Sequence, residues 1–312
     1  MHSHHYAQLQ ATEIDPEAPP WFTTAIGTEP RTGQLTVEGV SIRYARWGPA
    51  HGKQPIVLVH GGAAHAYWWA PLAPLLAEAT GRGVVAVDLS GHGVSDRRPV
   101  YSMSLWVSEL RALIEHLGQG GTTVVAHSMG GIVGAELSLR GDSPIDRFVA
   151  VDAPIWSEAP PPPGATSRAV GQKIYPSIHE ALSRFRPMPR QAVACPWYAR
   201  FIARHGLVSD GAGWSWRHDP RVFADSDEHG RIARFTGDPT RAACPVDLIF
   251  GHRSFLRPAA EKDLLPWSAG QFRVLANAGH HIILDQPLAL LDTLTDLLRP
   301  TPPVARISPT VR

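Results

Sequence analysis

The chain has 312 residues, of which 44% are hydrophobic and 18% are charged. This size and balance are typical of a globular protein with one large core and exclude a fibrous or largely disordered chain. The 29 basic and 28 acidic residues give a net charge of +1, so no broad electrostatic attraction to nucleic acid or to an anionic membrane is expected. Two cysteines do not make a disulfide framework, and a reducing cytoplasm is the expected location.

Residues 1–33 are rich in proline and polar residues and are predicted to form an irregular N-terminal arm. No apolar region of a secretory signal and no apolar stretch of about 20 residues is found, so neither a signal nor a membrane span is expected. From 35 to 47, apolar residues alternate and the chain turns at Glu38 and Gly39, which predicts a β-hairpin.

Beyond the hairpin, short apolar runs alternate with helical patterns. Strands are predicted near 55–60, 83–88, 122–127 and 147–152, and helices near 67–80, 103–118 and 129–140. This alternation predicts an α/β fold with a mostly parallel sheet and helices on both faces. Ligands of such sheets bind beyond the carboxyl ends of the strands, where Gly61, Ser128 and Asp152 are expected.

The alternation stops at residue 153, and a segment rich in proline, arginine and tryptophan follows. Its amphipathic stretches predict an inserted, mainly helical cap over 154–244. The sheet is expected to resume at 246–251 and 272–275, before a final helix near 286–298. The predicted core is therefore 34–153 together with 245–299, and 300–312 is a loose C-terminal tail.

Ser128 stands between an apolar, β-branched run and a helix-like stretch, in the sequence Ala-His-Ser-Met-Gly-Gly. Small residues around a serine at this place are typical of a nucleophile elbow, which holds the hydroxyl on a sharp strand-to-helix turn. The first N–H groups of the following helix have no partner within it and can stabilise negative charge. The alternative is a chance Ser-X-Gly at the start of a helix.

Three further segments favour the elbow: His-Gly-Gly at 60–62, the Gly-bounded turn at 88–96 and Gly-His-His at 279–281. In this order and spacing, the four motifs resemble those of the α/β-hydrolase superfamily from about Val37 to about Leu298. The resemblance implies the α/β-hydrolase fold. It also implies an oxyanion hole, with the backbone N–H groups of Gly62 and Met129 as its donors.

A serine hydroxyl needs an adjacent base, and His280 is the predicted one. The resemblance supports this assignment, because the catalytic histidine of the family follows a glycine in the late motif. His281 occupies a position at which the family usually has an apolar or aromatic residue. A serine nucleophile at Ser128 argues against dehalogenase or epoxide hydrolase activity, since the members with those activities use aspartate there.

The acid that orients the base departs from the common family pattern. The usual position, in the loop after 246–251, carries Ser254, which is expected to contribute little. Haloalkane dehalogenases and zearalenone lactonases instead have the acid after the preceding strand, where this chain has Asp152. Asp152 is therefore the predicted acid, and Glu261, Asp263 or loss of the acid are the alternatives.

The expected function is hydrolysis of an ester or lactone through an acyl-enzyme, with no cofactor and no metal. The expected partner is a small-molecule substrate with an apolar body, without nucleic acid or membrane, and a homodimer is one assembly that the sequence allows. His65, Trp68, Trp156 and His281 are expected to line the pocket. The alternatives are C–C bond hydrolysis or perhydrolysis by the same residues, and a non-catalytic small-molecule-binding homologue.

Overall fold

The computed structural model describes residues 6, 14–50, 54–118, 121–156, 171–209, 211–223, 235, 237–258, 267 and 270–299. The strands within these residues are β1 (Arg31–Val37), β2 (Val40–Trp47), β3 (Ile56–Val59), β4 (Val84–Asp88), β5 (Thr122–His127), β6 (Ile145–Val151), β7 (Leu207–Ser209), β8 (Trp214–Trp216), β9 (Val246–Gly251) and β10 (Phe272–Leu275). The α-helices there are α1 (Pro20–Ile26), α2 (Ala73–Thr80), α3 (Met103–Leu117), α4 (Met129–Ser138), α5 (Ile178–Ser183), α6 (Pro196–His205), α7 (Ile282–Asp285) and α8 (Pro287–Leu298). Short 3-10 turns lie at Ala66–Trp68 and Pro239–Arg241.

Eight strands form one sheet in the order β1-β2-β4-β3-β5-β6-β9-β10. The pairs β1–β2 and β2–β4 are antiparallel, and the other neighbouring strands run parallel. Val37 pairs with Val40 across the predicted turn, which confirms the hairpin. The mostly parallel sheet with flanking helices confirms the predicted fold class. No helix of the described residues is long and apolar enough to cross a membrane.

Both faces of the sheet are buried because alternate strand residues enter two separate cores. In β3, Val57 and Val59 pack in the core that contains α3 and α4, whereas Ile56 and Leu58 pack in the core with α2 and α8. All four side chains are 0% exposed. Burying an aliphatic side chain stabilises the fold by about 1.5–3 kcal/mol, so these continuous apolar runs specify the centre of the sheet.

Helix α1 lies within the predicted irregular arm, so that prediction is wrong for Pro20–Ile26, and β1 also begins inside the arm. Pro20 suits the first turn of a helix because its missing N–H would have no partner there. Phe22 is buried, and its ring lies 4.6 Å from that of Trp197 and 5.3 Å from that of Tyr198, both in α6. These distant contacts stabilise the short helix and are not visible in the local sequence.

Between β6 and β9, the described residues contain α5, α6 and the antiparallel pair β7–β8. The sequence indicated a mainly helical segment and did not predict this pair, since three-residue strands carry too little periodicity to be recognised. Helix α6 packs against α7 and the turn at Ala66–Trp68. The proline run 160–163 and the predicted tail 300–312 lie outside the described residues.

Candidate active site

The chain reverses direction sharply at Ser128, between β5 and α4. Its φ of 53° and ψ of −120° lie in a region that residues other than glycine rarely adopt. A Cβ on Gly130 would overlap the carbonyl oxygen of His60, and one on Gly131 would overlap the Cβ of Ala153. The two glycines therefore let α4 start against the neighbouring loops, and the backbone forms the predicted elbow.

The Ser128 hydroxyl, the His280 imidazole and the Asp152 carboxylate form a continuous hydrogen-bonded chain. Ser128 Oγ lies 3.0 Å from His280 Nε2, and His280 Nδ1 lies 2.9 Å from Asp152 Oδ1. An ionised carboxylate only accepts, so Nδ1 donates to Asp152 and Nε2 is free to accept the serine proton. His280 and Asp152 are both buried. Glu261 and Asp263, the alternative acids, lie outside the described residues.

Three donors surround the Asp152 carboxylate, which follows β6 directly. The N–H of Gly251 donates to Oδ2 at 2.7 Å, while Oδ1 accepts from both His280 and the hydroxyl of Ser254, the latter at 2.5 Å. The sequence shows that serine stands at the usual acid position but does not show which side chain it faces. The expectation that Ser254 contributes little therefore did not include its hydrogen bond to Asp152.

The loop after β3 lies close to Ser128, and the roles of the Gly62 and Met129 N–H groups as oxyanion donors stay a prediction. A Cβ on Gly61 would lie 3.2 Å from the Ser128 Cβ, so the two backbones are close. Met129 is the first residue of α4, so its backbone N–H has no acceptor within the helix. A Cβ on Gly62 would meet the Phe223 ring at 3.0 Å and Met129 Sδ at 3.6 Å, so glycine at this position leaves room beside the serine.

Comparison with known proteins agrees with this architecture. The family model described as alpha/beta hydrolase fold matches residues 54–287. The chain belongs to this family. The sn-1-specific diacylglycerol lipase ABHD11 of Mus musculus is 26% identical over 248 residues, which cover 78% of this chain and 80% of that protein. Lipase LipV of Mycobacterium tuberculosis is 31% identical over 190 residues, covering 61% of this chain and 62% of the lipase.

A solved structure shows the same fold for this α/β-hydrolase. The thioesterase domain from the curacin biosynthetic pathway superposes with a TM-score of 0.68 at 21% identity, covering 86% of this chain and 99% of that domain. An identity this low supports the arrangement of strands and helices, and it carries no information on the substrate.

Of the predicted pocket residues of this α/β-hydrolase, His281 lies beside His280, and Trp68 lies beside His281. The His281 ring lies 4.8 Å from the His280 ring and 5.6 Å from the Trp68 ring. Burial, followed by the nearby His280 and His127, lowers the pKa of His281 well below its usual value, so its ring is neutral. The backbone N–H of His281 donates to Oε1 of Gln191 at 2.9 Å, which connects the segment between β6 and β9 to the loop that carries His280.

The other two predicted pocket residues make contacts elsewhere in the fold. The buried His65 donates from Nε2 to the carbonyl oxygen of Ile202 in α6 at 2.9 Å. Trp156 packs edge-on against Phe250 of β9, with ring centroids 5.5 Å apart. Neither contact involves the hydrogen-bonded chain, and a pocket role for these two residues stays a prediction.

Two further histidines hold loops of the α/β-hydrolase near the serine. Burial lowers the pKa of His127 to about 3, helped by the neighbouring His280, and that of His60 to about 4. His127 Nε2 donates to the carbonyl oxygen of His280 at 3.0 Å. His60 accepts from the N–H of Leu89 at 3.2 Å and donates from Nδ1 to the carbonyl oxygen of Gly61 at 2.7 Å. Both rings are neutral and hydrogen-bond to backbone groups of the neighbouring loops. His280 is therefore the histidine directed at Ser128.

Three imidazoles at the site are close enough to consider a metal ion. One ring nitrogen each of His127, His280 and His281 lies within 4.8 Å of the others. Both nitrogens of His280 already have partners, Ser128 and Asp152. A metal at His280 would therefore break the hydrogen-bonded chain, so the donor set does not fit a catalytic metal.

Two residues at the site had no signal in the sequence, Phe223 and Gln191. Phe223 lies against Gly62, and Gln191 accepts a hydrogen bond from His281, in the loop that carries His280. Both lie in the segment between β6 and β9, where no motif indicated that the chain returns to the catalytic edge of the sheet.

Proposed function

We propose that this α/β-hydrolase is a serine hydrolase that cleaves carboxylic esters or lactones through an acyl-enzyme, without a cofactor. The observation that carries the proposal is the chain Ser128 Oγ–His280 Nε2–His280 Nδ1–Asp152 Oδ1, with donor–acceptor distances of 3.0 and 2.9 Å. A hydroxyl is a weak nucleophile at neutral pH, and an adjacent, oriented base is the means by which enzymes activate it.

In the proposed reaction, Ser128 Oγ attacks the substrate carbonyl carbon while His280 Nε2 takes the hydroxyl proton. Asp152 keeps the imidazole in the required tautomer and stabilises its positive charge. The N–H groups of Gly62 and Met129 receive the negative oxygen, and each such donor contributes about 10²–10³ in rate. His280 then protonates the leaving oxygen. A water deprotonated by His280 releases the acid and regenerates Ser128.

We further propose that the substrate has an apolar body and that residues 154–244 form the cap that contacts it. Phe223 lies against Gly62 and is 40% exposed, so this apolar ring is accessible to a substrate bound beside Ser128. Trp68 packs near His281, and the Met129 side chain lies near Gly62, so both contribute apolar groups around the site. The similarity to a diacylglycerol lipase and to a lipase supports an ester over other carbonyl compounds.

A substrate panel tests this function. The purified full chain is assayed with p-nitrophenyl esters of increasing acyl length, lactones and vinylogous diketones, with Ser128→Ala as the control. We expect turnover of esters or lactones that disappears in Ser128→Ala. Cleavage of diketones alone would instead indicate C–C bond hydrolysis. Ligand binding without any turnover would indicate a binding protein and contradict the proposal.

A further inference from the structure

We propose that Ser254 is a positioning residue, which holds the Asp152 carboxylate in the orientation that His280 needs. Ser254 occupies the position at which the family usually has its acid, and its hydroxyl contacts the acid that this chain has at another strand end. The inference rests on the proposed function, because the role of Ser254 exists only if Asp152 orients a catalytic base.

The direction of the Ser254 hydrogen bond follows from its two partners. Ser254 Oγ accepts from the backbone N–H of Leu256 at 3.1 Å. Its single proton is then available for Asp152 Oδ1, 2.5 Å away, which as a carboxylate oxygen only accepts. Ser254 is 9% exposed and Asp152 is 0% exposed, so little water competes for this contact. Charge-assisted bonds of this kind are among the stronger hydrogen bonds in proteins.

The contact restricts rotation of the carboxylate. The Gly251 N–H donates to Oδ2, and the Ser254 hydroxyl donates to Oδ1. Oδ1 is also the oxygen that accepts from His280 Nδ1. Without the Ser254 hydroxyl, the Gly251 N–H would be the one donor among the described residues, apart from His280 itself, that holds the plane of the carboxylate. Ser254 thus presents Oδ1 to His280 at a defined angle.

The backbone around Ser254 forms hydrogen bonds with the end of β9, next to Asp152, and with the loop that carries His280. The Ser254 N–H donates to the carbonyl oxygen of Gly251 at 3.0 Å, at the end of β9. The preceding Arg253 N–H donates to the carbonyl oxygen of Ala278 at 2.8 Å, in the loop that carries His280. One short loop therefore sets the relative position of the acid and the base.

Loss of the Ser254 hydroxyl should slow the chemistry without weakening substrate binding. For Ser254→Ala, we expect kcat with a p-nitrophenyl ester to fall about 10-fold at unchanged KM, since a hydrogen bond to a charged group is lost but the carboxylate remains. Ser138→Ala is the matched control, because Ser138 is also buried and its hydroxyl donates to the carbonyl oxygen of Ala135, within α4. We expect Ser138→Ala to keep the wild-type kcat.

A double-mutant cycle separates positioning from a general effect on the loop, since Leu256 also loses its acceptor in Ser254→Ala. The rate of fluorophosphonate labelling at Ser128 is measured by intact mass for the wild type, Ser254→Ala, Asp152→Asn and the double variant. We expect Ser254→Ala to slow labelling about 10-fold when Asp152 is present and to leave the labelling rate unchanged in the Asp152→Asn background. Ser254→Cys, with a weak donor of similar shape, replaces the alanine variant if that does not fold.

An equal effect in both backgrounds, or no effect in either, would overturn the positioning role while leaving the serine hydrolase proposal intact. A wild-type protein that is not labelled at Ser128 would contradict the proposed function itself. The cycle therefore distinguishes the failure of one proposal from the failure of the other.

Discussion

Replacing Asp152 by asparagine changes one atom and should disable the base. The three donors around this side chain leave no acceptable place for an amide NH₂ group. If the amide oxygen takes the Oδ1 position, the NH₂ group faces the N–H of Gly251. If it takes the Oδ2 position, the NH₂ group faces His280 Nδ1, which must then accept. The proton then sits on Nε2, and Ser128 loses its acceptor.

The size of the effect follows from the lost tautomer. The comparable change in the serine protease triad lowers kcat about 10⁴-fold, and we expect a loss of that order for Asp152→Asn. Two donors facing each other should also cost about 1–3 kcal/mol of folding free energy. The measurements are kcat with a p-nitrophenyl ester and urea unfolding at pH 7.5.

Asp88→Asn is the matched control for this change. Asp88 is a buried carboxylate at the end of β4 that accepts from the N–H groups of Ala66 at 2.7 Å and Val94 at 3.0 Å. We expect Asp88→Asn to lose stability and to keep kcat within a few-fold. If Asp152→Asn retained a tenth or more of the activity, another group would orient His280, and the reasoning above would be refuted.

Two further predictions concern the oxyanion donors and the buried histidines. Gly62→Ala should lower kcat, by up to the about 10²–10³-fold that loss of one oxyanion donor costs, because the methyl group would meet the Phe223 ring at 3.0 Å and crowd the space beside the donor. Gly141→Ala, with open space around it, should not change kcat. The free energy of unfolding should decrease as the pH falls below 6.5. His60 and His127 then bind protons in the unfolded chain but stay neutral in the folded chain, where their pKa values are lowered to about 4 and about 3. Each histidine should cost about 2 kcal/mol by pH 5 in urea unfolding, and equal stability at pH 7.5 and 5.0 would contradict this.

Local patterns in the sequence were sufficient for much of the fold. The strands at 246–251 and 272–275 have the predicted bounds, because apolar runs between turn residues specify buried strands. The elbow at Ser128 follows from a motif whose glycines allow close approach of two loops. The expected contact between Asp152 and His280 is present, since both residues follow strands that end at the same edge of the sheet.

The features that the sequence did not predict depend on contacts between distant segments. Helix α1 is stabilised by Phe22 against Trp197, and Phe223 reaches Gly62 from a different part of the chain. The hydroxyl of Ser254 meets Asp152 across 102 residues. No local periodicity or motif records such pairings, and an unusual residue at a motif position was the one sign that pointed to the last of them.

The most direct test of the account is to map the covalent adduct that a fluorophosphonate forms on this chain. Such reagents modify serines that an adjacent base activates. We expect one adduct per chain, located on Ser128 by peptide mass analysis, absent in Ser128→Ala and strongly slowed in His280→Ala. An adduct on another serine, or no adduct on the folded wild-type protein, would contradict the assignment of Ser128 as the activated nucleophile.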